Sequence, residues 1–201
     1  MKDTKSDIKE TAQTLFLTKG YQNTSVNSIV ETLGIAKGTF YHHFASKNDI
    51  LSEIVDDLLE TILSSAKQTA QDPALSPIEK IQTIISQKNA INQHAAAMKE
   101  ALHVPENREL HEKINVQLVL KLSPIIAGIV DEGVTEGQFG VEHSLETVQF
   151  LLTASQFLFD DGLFSWDTDE WNIRRTIMQD VIEKSLGAQK GSFAFLSNDL
   201  S

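Results

Sequence analysis

From Ile8 to Ile182 the apolar residues recur at helical spacing, in segments closed by helix caps and stop signals, which leaves no room for a convincing strand. Ile8, Ala12, Leu15 and Phe16 define the first helix, and Gly20 ends it. Thr24 and Ser25 offer caps for a short helix bearing Val26, Ile29, Val30 and Leu33, which Gly34 breaks. A second short helix carries Phe40, Tyr41 and Phe44. Ser46-Lys47-Asn48-Asp49 is a capping-box variant opening a longer helix, which Asp72-Pro73 stops. Ser76-Pro77-Ile78-Glu79 opens the next, and a short segment follows around His94–Leu102. A further helix starts near Glu106, and Pro124 predicts a kink or restart within it. Residues 144–164 are apolar on most sides, the mark of a helix buried from several directions. The last helix opens at Asp167 with Glu170 as capping partner and Trp166–Trp171 spaced as a hydrophobic staple. The tail 188–201 reads as loose. The fold class is all-α.

The 201 residues contain no cysteine, which excludes disulfides and thiolate zinc sites. The polar N-terminus has no apolar core segment, and no run approaches the roughly 18 consecutive apolar residues of a membrane span. The expectation is a cytoplasmic protein with no membrane partner. Net charge is -11, yet residues 1–50 carry six Lys against five acids, so the rest of the chain holds -12. A module able to approach phosphate is thus joined to an acidic body.

Residues 24–47 read TSVNSIVETLGIAKGTFYHHFASK, two short helices around a glycine-containing turn. That is the layout of a helix-turn-helix, whose second helix enters the major groove. Val26, Ile29, Leu33 and Ile35 would pack it, with Phe40 and Phe44 as core aromatics and His43 as a packing residue. The run from Gly20 to Leu51 is similar to the DNA-binding signature of TetR-family regulators. The shared residues are Thr24-Ser25-Val26, Ile29, Gly34-Ile35-Ala36-Lys37-Gly38, Tyr41-His42-His43-Phe44 and Lys47. The resemblance implies DNA contact by Thr24, Ser25, Lys37, Gly38, Thr39, Tyr41, His42 and Lys47. Ala36 departs from the family, which has Ser or Thr as cap there.

The implied architecture is an N-terminal three-helix helix-turn-helix domain over 1–46 and a larger helical ligand-binding and dimerisation domain over 47–187, with 47–71 as linking helix. The resemblance also implies a homodimer on a pseudo-palindromic operator in double-stranded DNA, acting as a repressor released by a small-molecule effector. Excess apolar surface on 144–164 supports pairing, with Leu151, Leu158, Phe159, Ile177 and Val181 at the interface. A pocket is expected from Ile84, Lys88, Met98, Leu102, Leu118 and Leu122. Gln149, Phe150, Thr153 and Phe157 would complete it from the penultimate helix. Control by a protein partner is the alternative. His94, His103, His111 and His143 form no i, i+3 or i, i+4 pair, so neither metal nor cofactor is expected. No phosphate loop, serine elbow or thiol nucleophile is present to suggest an enzyme.

Overall fold

The computed structural model describes residues 4–94 and 101–198, and every regular element among them is helical. The chain divides into two compact units, Met1–Thr61 with Ala90–Ile114, and Ile62–Asn89 with Asn115–Ser201. This differs from the expected partition at 46/47. Helix α4 (Lys47–Ala70) runs unbroken through the unit boundary, and residues 101–114 join the first unit.

In the first unit, α1 (Thr4–Lys19) turns Ile8, Ala12, Leu15 and Phe16 inward. Ser25 caps α2 (Val26–Leu33) in a reciprocal box with Ser28, and Gly34 ends it at φ 73°, a left-handed conformation that disfavours a side chain. Helix α3 (Lys37–His43) starts at Ala36 with no side-chain cap, as the sequence predicts. At the start of α4 the Asp49 N–H donates to Ser46 Oγ at 3.2 Å, while Asp49 Oδ2 accepts from Ala45 N at 2.9 Å. The shorter Asp therefore serves the backbone one residue upstream of the cap. Ile8, Phe16, Phe40, Ile50 and Leu51 make a single core with Ala101 and Leu110.

In the second unit, the Ser76–Glu79 box opens α5 (Pro77–His94), with Ser76 N donating to Glu79 Oε2 at 2.8 Å. Helix α6 (Arg108–Thr135) starts in the first unit after a 3-10 turn, Pro105–Asn107, enters the second at Asn115 and continues through Pro124 instead of breaking. Gly133 is held by packing: a Cβ there would meet the Phe139 ring at 2.3 Å. Helix α7 (Ser144–Leu158) stops six residues short of expectation, and Trp166 Nε1 donates to the freed Leu158 carbonyl at 3.0 Å. Asp167 caps α8 (Thr168–Leu186) with Glu170 in the expected box. The tryptophans take other partners than each other: Trp166 stacks on Phe164 and under Arg174, and Trp171 on Phe159.

The tail is not loose as far as Asn198. Phe193 is buried, its N–H donates to Glu183 Oε1 at 3.0 Å, and α9 (Phe195–Asn198) follows. Burial pushes the Glu183 carboxyl up, but hydrogen bonds from Gly191, Gln179 and Phe193 outweigh it and leave the pKa lowered. One stretch, Pro105–Thr135, is long and apolar enough to cross a membrane by length and composition, and a core helix passes the same test.

Candidate nucleic-acid interface

Helix α3 has two faces. Phe40 and Phe44 point inward and are buried, which fixes the helix against the core. One residue along at each turn, Lys37 with Tyr41 and Gly38 with His42 point outward, and Tyr41 is 50% exposed despite its size. Thr39 is half-buried between the faces. An exposed aromatic, a cation and an imidazole on one edge can reach phosphates and base edges together. Ser25 is exposed as well, although its hydroxyl is already engaged in capping α2.

Two of the expected contacts have side chains already engaged within the fold. Thr24 is 1% exposed, and its hydroxyl donates to the carbonyls of Gly20 at 2.9 Å and Leu15 at 3.3 Å. Its side chain closes the α1–α2 turn and does not face outward. Lys47 is half-buried, and Nζ donates to the carbonyls of Tyr21 at 2.9 Å and Thr24 at 3.1 Å. The ammonium also sits 4.2 Å above the Tyr21 ring, and burial lowers its pKa against the opposing pull of Glu106. Two of its three hydrogens serve the fold, leaving one for an outside acceptor.

Sequence reasoning missed Asn107. It is fully buried, donates to Ala101 O at 2.7 Å and accepts from Asn48 Nδ2 at 2.9 Å. Tyr21 hydrogen-bonds to the same side chain, although burial dominates and raises the Tyr21 pKa. Asn107 thus pins the 101–114 segment to the residues that hold Lys47. A lone Asn between Pro105 and Arg108 signals a turn, and nothing local points to its distant partners.

The expected pocket residues do not converge. Ile84, Leu118 and Leu122 are buried in the second unit, with Lys88 and Gln149 half-buried there. Leu102 instead packs against the first unit's core, and Met98 lies outside the described residues. Phe150 is 78% and Phe157 60% exposed, and Thr153 between them is exposed too. Spaced i, i+3, i+7, the three share the outer face of α7 and do not line an interior. Ile173, Ile177 and Val181 form a similar exposed stripe on α8, while Leu151, Leu158 and Phe159 are half-buried. The His103 and His111 rings come within 5.0 Å across the Pro105–Asn107 turn, a juxtaposition that helical spacing rules had passed over.

Two family profiles match the chain: bacterial regulatory proteins of the tetR family over residues 8–54, and the tetracyclin repressor-like C-terminal domain over 89–181. The chain belongs to the TetR family of transcriptional regulators. It is similar to the HTH-type transcriptional repressor KstR2 of Mycolicibacterium smegmatis, at 26% identity over 72% of this chain and 71% of that one. It is also similar to the fatty acid metabolism regulator protein of Bacillus subtilis, at 28% identity over 65% and 68%. Among solved structures, a TetR/AcrR-family regulator from Thermobifida fusca shares the fold with TM-score 0.62 at 20% identity, covering 90% of this chain and 97% of that one. As a TetR-family member the protein is a DNA-binding regulator, and the family's members are not enzymes.

Proposed function

We propose that the protein is a cytoplasmic, dimeric repressor that binds a pseudo-palindromic operator and releases it when a small molecule occupies the second unit. The observation that carries the reading is the pairing of two exposed surfaces. One is the Lys37–Tyr41–His42 edge of α3, and the other is the apolar face of Phe150, Phe157, Ile173, Ile177 and Val181. The first suits a groove, and the second suits a second copy of the chain, since a monomer would leave that face in water. Two copies related by a two-fold axis present two recognition helices, hence a palindromic site. Repression is supported by the relative named a transcriptional repressor. Release requires only that the effector prefer the conformation that does not bind DNA, at a typical coupling of about 1–3 kcal/mol.

Selection of bound sequences from a random duplex library at fixed moderate salt tests the reading. Recovery of a palindrome supports it, and no enrichment from refolded, ligand-stripped protein overturns it. On the recovered site, Lys37→Ala weakens binding and lowers the salt slope by about 0.9, the loss of one phosphate contact. An unchanged slope removes Lys37 from the interface.

A further inference from the structure

His103 and His111 stand on either side of the Pro105–Asn107 turn, and both belong to the first unit. Their backbones are held from several directions. Ala101 and Leu110 are buried in that unit's core, and Leu102, Val104 and Ile114 pack against it. Asn107 N donates to Val104 O at 2.9 Å and closes the turn, while the buried Asn107 side chain donates to Ala101 O at 2.7 Å. Each imidazole thus projects from a fixed backbone, yet neither ring is sealed, since both residues are half-buried.

The ring centroids are 5.0 Å apart with the planes at 68°, and each ring brings a nitrogen within 4.8 Å of a nitrogen on the other. Two imidazoles on one tetrahedral zinc ion, each at about 2.0–2.1 Å, hold their nitrogens roughly 3.3 Å apart. Small side-chain rotations close that difference and leave the backbone where it is. His42 and His43 meet at the same centroid distance, but successive helical residues point about 100° apart around the axis. His103 and His111 approach from two ends of a turn and converge.

We propose that His103 and His111 bind a divalent transition-metal ion of the zinc, nickel and copper class, with water in its remaining positions. Imidazole suits these ions, whereas magnesium and calcium take oxygen ligands. The ion would fasten residue 103 to α6 across the turn whose Asn107 accepts from Asn48 at 2.9 Å, next to Lys47. The site does not depend on how the protein meets DNA.

Titration of the full-length, DNA-free protein with zinc chloride, in competition with a chromophoric chelator in a non-coordinating buffer, tests it. One zinc ion per chain is expected, at micromolar affinity that falls on acidification as protons compete for the imidazoles. A large excess of magnesium chloride should not displace it. His103→Phe and His111→Phe keep an aromatic ring and remove the nitrogens, and each should weaken zinc at least about 10-fold. A cooperative melting transition in each metal-free variant establishes its fold, so that lost zinc reports a lost ligand. No zinc binding tighter than millimolar, or unchanged affinity in both phenylalanine variants, overturns the site and leaves a ring contact only. Zinc lost in His42→Ala or His143→Ala but kept in His111→Phe belongs to other histidines and overturns it equally.

Discussion

The two units differ in how completely their interior polar groups are satisfied. In the first, Thr24, Asn107 and Lys47 are withdrawn from water and each is tied to backbone carbonyls or to another side chain. In the second, among the described residues, Ser123, Gln138 and Gln156 each keep a buried polar atom without a partner, and Lys88 makes no ion pair. A satisfied polar network holds one arrangement, because any displacement breaks bonds that water cannot replace. An unsatisfied one leaves the folded state higher in free energy than its contacts alone would make it, and gives an incoming ligand something to complete. Exposed phenylalanines are found in the second unit, where Phe150 and Phe157 stand out, while Phe16 and Phe40 of the first are sealed. The first unit is thus the more fully tied inside, and the larger one leaves more groups open.

That contrast can be broken at three places. The largest effect is expected at the exposed face, where Phe157→Asp puts a charge into the proposed contact between copies. The dimer dissociation constant should rise about 100-fold, roughly 2.8 kcal/mol, by sedimentation equilibrium. An unchanged constant moves the interface elsewhere. Next comes a matched pair of interior deletions read by urea unfolding. Asn107→Ala strands the Ala101 carbonyl and the Asn48 amide and should cost about 1–3 kcal/mol, while Ser123→Ala removes a group with nothing to lose and should be neutral or stabilising. Equal costs would erase the distinction between the units.

The smallest effect concerns charge. Lys88 has a folded pKa below its ordinary value of 10.5, so between those two values the unfolded chain binds more protons. Its unfavourable contribution is therefore fully present below the folded pKa and fades as pH rises towards 10.5. Lys88→Met should stabilise the protein near neutral pH, read as a rise in melting temperature. The gain should shrink steadily on titration to pH 10. A constant gain would mean that the ammonium is not the cause.

Much of the fold was legible because its signals are local. Ser25, Ser46, Ser76 and Asp167 each cap a helix at the site where the sequence placed one, and Ala36 fails to cap where a cap was missing. The outward edge of α3 was legible for the same reason, since Phe40 and Phe44 declare the inward side. What stayed hidden depends on distance in the chain. Helix α7 is apolar nearly all round, so periodicity could not say which side faces out, and Phe150, Thr153 and Phe157 were placed inside. Thr24 and Lys47 look alike as buried ties or as phosphate ligands until their carbonyl acceptors are known. The packing of Phe193 depends on Glu183, ten residues away on another element, and the polar letters around it suggested only a tail.

The apolar face of α7 and α8 also bears on what a melting temperature of this protein would mean. If two copies close over Phe150, Phe157 and Ile177, every folded dimer draws on mass action, and dilution favours the unfolded chain as surely as heat does. Stability then belongs to the solution as much as to the molecule. In a cell holding few copies, the same contact that positions two recognition helices would also set how long each chain stays folded.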